Sequence, residues 1–234
     1  MNQLLRASTV RALDVVPGLV HGFEQRLGPK GWETRAGSRR RMTEALAPSG
    51  RLLLLSQVHG VAIHRGPWDG LPEGDAGIVD RPGLIVGIET ADCLPVLLVD
   101  PRRRVAAAAH AGWRGTAAGI ARKTLDALVT DGSRAADVIA ALGPGIGACC
   151  YEVGPELVEQ FGPGGEAFFA RGDGDRLRLD VRAANIRQLR EGGLPEENIH
   201  SVDECTFHDA DRYHSYRREG AGGGRMISYV GFSE

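Results

Sequence analysis

Short apolar runs punctuated by turn residues dominate the chain, and they predict strands more often than helices. Leu84-Ile-Val-Gly-Ile88, Pro95-Val-Leu-Leu-Val99 and Val105 through His110 are three such runs, the second ended by Asp100-Pro101. Leu52 through Val58 and Val61 through Ile63 predict one or two further strands, with His59-Gly60 between them. Leu19-Val-His-Gly-Phe23 reads as a weak strand between the turns Pro17-Gly18 and Gly28-Pro29. Val138 through Leu142 leads into the turn Gly143-Pro-Gly-Ile-Gly147, and Arg225 through Val230 closes the chain as a strand. Helical spacing is rarer. Ala117, Ile120, Ala121, Leu125 and Leu128 predict a helix from Thr116 that stops at Asp131-Gly132. A second helix follows Asp180, an N-cap candidate, and runs to Gly192-Gly193; a third crosses Ser38–Ala47. The elements interleave without a strict βαβ rhythm. They predict an α+β fold of mixed β-sheets sandwiched by helices. No repeat or biased linker divides the chain, so residues 1–234 read as a single domain.

Composition changes this picture little. With 42% hydrophobic residues the chain can bury a large core. Its 33 glycines and 12 prolines exceed ordinary usage, which implies many tight turns. Lys+Arg is 28 against Asp+Glu at 30, so no basic field argues for nucleic acid. Only Lys30 and Lys123 are lysines, a bias that reads as codon composition and gives no surface arginine special weight. No apolar run reaches the ~20 residues of a membrane span, and Met1-Asn-Gln-Leu-Leu-Arg does not read as a secretory leader. The cysteines, Cys93, Cys149, Cys150 and Cys205, lack disulfide-framework spacing. Reduced thiols in a cytoplasmic protein are expected.

Three polar residues sit at the ends of apolar runs: His59 after Ser56-Gln57-Val58, Cys93 after Thr90-Ala91-Asp92, and His110 after Ala106–Ala109. Strand-end loops are where a scaffold presents functional groups. Two imidazoles and one thiol make a three-ligand metal site with one position left open, the pattern of catalytic rather than structural zinc. The same atoms also fit a cysteine hydrolase or amidase, with Cys93 as nucleophile, His110 as base and Asp92 as orienter. Spacings of 34 and 17 residues do not separate these readings, nor either from a buried thiol beside two ordinary histidines. Arg114, just before the predicted helix, and Arg217-Arg218 offer guanidinium forks for phosphate, though a solvated role is ordinary for each. Cys149-Cys150 follows a Gly/Pro turn and reads as a packed pair of inert thiols.

At these residues the chain resembles the laccase-domain family, also described as multicopper polyphenol oxidase-like proteins, purine nucleoside phosphorylases or peptidoglycan editing factors. The resemblance rests on Ser56-Gln-Val-His-Gly60, Ala91-Asp-Cys-Leu-Pro95 with Val96 through Pro101, Ala108-Ala-His-Ala-Gly-Trp-Arg-Gly-Thr116 and Gly143 through Gly154. It implies zinc held by His59, Cys93 and His110, with copper as an alternative occupant. It also implies phosphorolysis of adenosine, inosine, guanosine and methylthioadenosine, plus deamination of adenosine. The implied partners are purine nucleosides and phosphate, with no nucleic acid and no membrane. Phosphorolysis needs phosphate beside C1′ and a donor to the departing purine. Arg114 is the candidate phosphate contact, Asp92 the candidate acid/base, and Arg217 and Arg218 the candidate substrate contacts. Two departures bear on those contacts: His214 stands where the family commonly has Phe, and Gly223-Gly224-Arg225 where Thr-Gly-Arg is usual. The seven histidines include no His-x-His pair, so a multi-copper oxidase centre is excluded and any polyphenol oxidase activity is secondary.

Overall fold

Period-two alternation decides where each strand sends its side chains, and here it splits the apolar runs between two cores. The computed structural model describes residues 6–27 and 34–234; the start of the chain and the Gly28-Pro29 turn fall outside them. The first strands are β1 (Ala7–Ser8), β2 (Leu19–Glu24), β3 (Arg51–Leu53), β4 (Ile63–Arg65) and β5 (Ala76–Val79). The central ones are β6 (Leu84–Thr90), β7 (Leu94–Asp100), β8 (Val105–Ala111) and β9 (Ile139–Leu142). The last are β10 (Glu152–Val153), β11 (Phe169–Arg171), β12 (Leu177–Leu179), β13 (Ile199–Ser201) and β14 (Met226–Phe232). The helices are α1 (Arg11–Asp14), α2 (Arg35–Leu46), α3 (Trp113–Ala117), α4 (Ile120–Thr130), α5 (Val181–Glu191) and α6 (Tyr216–Glu219).

Two large mixed sheets stack face to face. One has the order β1-β2-β14-β6-β3, the other β13-β9-β7-β8-β5-β4; a small sheet, β10-β12-β11, lies beside them. Along β7, Leu97 and Val99 enter the core between the sheets, joined by Phe23, Val86, Ile88, Val230 and Phe232. Leu94, Val96 and Leu98 point the other way, against Ile120, Leu125 and Leu128 of α4 and Leu189 of α5. On the outer face of the first sheet, Met42 and Leu46 of α2 cover Ile85, Ile227 and Tyr229. Each large apolar side chain so buried contributes about 1.5–3 kcal/mol. The α+β sandwich expected from the sequence is the observed fold.

Local signals place several ends correctly. Asp180 accepts a hydrogen bond from the Ala183 amide and caps α5. The predicted strand at 52–58 stops at Leu53, because the residues after it leave the sheet. The helix expected from Thr116 is two helices: α3 begins at Trp113, and Gly119, at φ +83°, breaks the chain before α4. Arg114 therefore lies within a five-residue helix rather than ahead of a long one, and the helix dipole invoked for phosphate is correspondingly weak.

Candidate active site

The chain passes from the first sheet to the second along two adjacent crossovers, one from β3 to β4 and one from β6 to β7. His59 lies on the first, Cys93 on the second, and His110 is the penultimate residue of β8. Gln57 ties the crossovers together: its amide donates to the Glu89 carbonyl and accepts from the Glu89 N–H, each at 2.7 Å. His59 (φ +63°) and Asp92 (φ +87°) both adopt left-handed backbone, a conformation that surrounding contacts must hold in place.

Asp75, the residue before β5, supplies that hold at His59. Its carboxylate is fully buried and accepts from the amides of His59 (2.9 Å), Gly60 (2.7 Å) and Val58 (3.3 Å). The same carboxylate accepts from His110 Nδ1 at 2.8 Å. A carboxylate partner fixes the proton on Nδ1 and leaves Nε2 as the ring's lone-pair donor. Burial pushes the Asp75 carboxyl up, but the His110 bond and the Gly60 and His59 amides bring it below the ordinary carboxylate range. The orienting role that the sequence suggested for Asp92 thus belongs to Asp75. Only the buried acid Asp75 beside the apolar run Ala76–Val79 could have signalled it.

His59, Cys93 and His110 place their ligand atoms within 4.8 Å of one another. The two imidazoles meet edge to face, with centroids 4.8 Å apart. Burial pushes the Cys93 thiol up, but His110 and then His59 outweigh it and bring it down to about 6; the same pairing, with Asp75, raises His110. Thiolate and imidazole are zinc donors. Gly112 keeps the place clear: a Cβ there would lie 2.9 Å from His59 Cδ2 and 3.1 Å from Cys93 Sγ. Its φ of −71° suits any residue, so Gly112→Ala tests space alone. We expect about 10-fold weaker zinc binding with no more than about 1 kcal/mol lost in stability. A competition titration returning wild-type affinity would refute the crowding.

These residues line a cavity of about 530 Å³, within the range of small-molecule sites. Arg114, Arg217, Arg225, Trp113, Tyr151 and Tyr216 also line it. Arg114 stacks on Trp113 (4.4 Å) and Arg225 on Tyr216 (5.6 Å), and among the described residues neither pairs with a carboxylate. The buried Glu89 on the cavity wall is, by contrast, neutralised by Arg35 and Arg39. Arg217 lies over Tyr151 and donates from its side chain to the Glu152 carbonyl at 3.0 Å. Asp92 lines the cavity too, one oxygen accepting from Thr206 Oγ1 (2.6 Å) and the other from the Arg217 amide (2.7 Å). Arg218 does not line it. Its guanidinium clamps the carbonyls of Thr206, Phe207 and Tyr213, each at 2.7 Å. The two departures from the family pattern converge on Glu219: His214 bonds it at 3.0 Å, and a Cβ at Gly223 would lie 2.8 Å from its Cβ.

The family model described as "Multi-copper polyphenol oxidoreductase laccase" matches residues 33–233. A purine nucleoside phosphorylase from Deinococcus radiodurans is 39% identical over 177 residues, covering 76% of this chain and 68% of that protein. A protein named adenosine deaminase, from an unknown prokaryotic organism, is 35% identical over 163 residues, covering 67% and 61%. The crystal structure of YlmD from Geobacillus stearothermophilus superposes with a TM-score of 0.85 at 28% identity, covering 94% of this chain and 93% of that one. A match over 33–233 takes in all three ligand candidates and nearly every strand. The chain belongs to the multi-copper polyphenol oxidoreductase laccase family, and proteins named purine nucleoside phosphorylase and adenosine deaminase are among its relatives.

Proposed function

We propose that the chain, acting over residues 1–234 as one cytoplasmic unit, is a zinc-dependent purine nucleoside phosphorylase with adenosine deaminase activity. Its substrates would be adenosine, inosine, guanosine, methylthioadenosine and phosphate. The observation that carries this reading is the cavity itself, which sets His59, Cys93 and His110 beside Arg114 and Arg225, two cations with no carboxylate partner among the described residues. His59 Nε2 or Nδ1, Cys93 Sγ and His110 Nε2 would hold the ion, which supplies Lewis acidity toward a ligand oxygen or nitrogen.

The chain's own groups account for the rest. In phosphorolysis a phosphate oxygen bonds to C1′ as the C1′–N9 bond breaks, and the electron pair leaves with the purine. Arg114 holds the anion beside C1′, with Arg225 and Arg217 near it. The electrostatic need is to place negative charge against a ribose that develops positive charge. Asp92, fixed by Thr206 and the Arg217 amide, stands as acid/base beside Cys93. Burial and the Cys93 sulfur push the Tyr151 hydroxyl up to about 12, so it remains a donor for the substrate.

Arg114→Ala is expected to lower phosphorolysis of inosine by about 10–100-fold, the worth of one charge-assisted contact. Zinc content should stay level. Adenosine deamination consumes water instead of phosphate and should suffer less. Chromatography of both reactions with and without phosphate decides it. Equal loss of both would make Arg114 a fold or purine contact, and free ribose as the main product would mean hydrolysis.

The Asp75–His110 bond and the lowered Cys93 also favour a cysteine hydrolase or amidase. Chelation separates the two: phosphorolysis should vanish and return with zinc, whereas a nucleophilic Cys93 would work without metal and fail on alkylation. Copper at the same three ligands could oxidise phenols slowly, as a side activity.

A further inference from the structure

We propose that Cys149, Cys150, Cys205 and His208 form a second metal site, a structural zinc that staples two loops behind the cavity wall. Cys149-Cys150 and Cys205 lie 55 residues apart in sequence, yet the four ligand atoms fall within 4.8 Å of one another. Cys150 Sγ lies 3.2 Å from His208 Nε2, and Cys149 Sγ lies 3.7 Å from His208 Nδ1. Zn–S bonds of ~2.3 Å and a Zn–N bond of ~2.0 Å put the corners of a tetrahedron about 3.5–3.8 Å apart. Cys149 and Cys150 face different nitrogens of the His208 ring and only one nitrogen can bind, so closing the site takes a turn of the ring that presents that nitrogen to all three sulfurs, from ligand atoms already within 4.8 Å.

The donor set points to zinc. Three thiols and one imidazole, with no carboxylate, suit a soft, tetrahedral cation and disfavour magnesium or calcium. All three cysteines are free thiols. A set of four protein ligands closes the coordination sphere, which is the structural type; the cavity site offers three and stays open. Two features of the neighbouring backbone fit this use. The Gly147 amide donates to Cys205 Sγ at 3.3 Å, the kind of outer bond that steadies a ligating sulfur. A Cβ at Gly147 would lie 3.1 Å from Cys149 Sγ, so the glycine makes room for the sulfurs to gather.

The staple has something to hold. The turn Gly143–Gly147 and the segment at Cys205 already touch through an isolated bridge between Gly145 and Cys205, and the Thr206 amide donates to the Gly145 carbonyl at 3.1 Å. The first loop runs on to Tyr151, which lines the cavity, and the second supplies Thr206, which holds Asp92. The Ile146 amide in turn donates to the Asp92 carbonyl at 2.8 Å. Zinc here would fix the wall without touching substrate, and binding would release the thiol protons.

Metal analysis of the full chain, purified from zinc-supplemented medium, tests this. The wild type should carry about two zinc ions per chain, Cys150→Ser/Cys205→Ser about one, and His59→Ala/Cys93→Ala about one. Zinc in the wild type that vanishes in His59→Ala/Cys93→Ala would overturn the proposal, as would a disulfide among Cys149, Cys150 and Cys205 in freshly purified protein. A count that falls only in Cys150→Ser/Cys205→Ser would sustain it while failing the cavity site. Should that variant not fold, His59→Ala/Cys93→Ala loaded with Co(II) gives the answer. A sulfur-to-cobalt absorption band of three-thiolate strength supports the site, and its absence refutes it.

Discussion

Asp75→Ala is expected to cost more stability than any other single change at the cavity, and to take activity with it. The carboxylate accepts from three loop amides and from His110, all four bonds converging on one buried group. Each donor left unpaired costs about 1–3 kcal/mol, so a loss of about 3 kcal/mol or more is expected, or about 10 °C in Tm for a chain of this size. His110 would lose the partner that fixes its tautomer, a change that commonly costs 10–100-fold in metal affinity or activity. Asp75→Asn keeps the shape but turns an NH2 toward donors, so it should fall between. The sign of the pH effect follows from the depressed carboxyl. Its stabilisation is present above the unfolded value of about 4 and is lost as pH falls through the lower folded value. Thermal melts from pH 7 to 3 should show a steeper acid limb in the wild type than in Asp75→Asn. Parallel limbs would mean the carboxylate is not the titrating hold.

Cys93→Ala is expected to remove zinc from the cavity and to lower phosphorolysis by more than about 100-fold, exceeding the loss of an outer partner. The thiolate is the one anionic donor of the three, and two imidazoles alone leave the ion short of both charge and geometry. Full cavity zinc in this variant, read against the protein's total metal, would dismiss the ligand assignment. In metal-free wild type the thiol is held down at about 6, where ordinary cysteine sits near 8.5. Thiolate therefore dominates above about pH 6, but His110, raised to about 9 by the same pairing, still holds a proton that zinc must displace. Zinc uptake should weaken as pH falls below about 9, and further below about 6, where protons also compete for the sulfur. Alkylation rates of Cys93 across pH 5–9 report the thiol midpoint directly. A midpoint near 8.5 would show that the imidazoles do not act on it.

The parts of this site that lie inside a continuous pattern were legible in the sequence. Strands β6, β7, β8 and β9 are apolar runs with clear stops, and the ligand candidates mark where two of those runs end. Asp75 escaped because β5, only four residues long, carries no alternation of its own, and its acid acts on groups 15 to 35 residues away. The crossover after Leu53 was read as strand because Leu54 and Leu55 are as buried as any strand residue while their backbone has already left the sheet. Burial and pairing are different properties, and hydrophobicity reports only the first. The pair Cys149-Cys150 read as inert for a similar reason: its partners arrive from a loop that spacing cannot bring near. Arg217 and Arg218 looked alike as neighbours, yet a one-residue step sends one to the cavity and the other into backbone carbonyls.

Both crossovers leave one sheet and enter the other, so two of the three ligand candidates sit on the seam between the sheets. An ion gripped there is a clasp across the seam. Prying the sheets apart would have to release it, and at a thousandfold excess over Kd that release adds about 4 kcal/mol to the work of opening. Such a clasp would leave the protein no half-open state that still holds a metal: the candidate site and the core between the sheets would stand or fall as one.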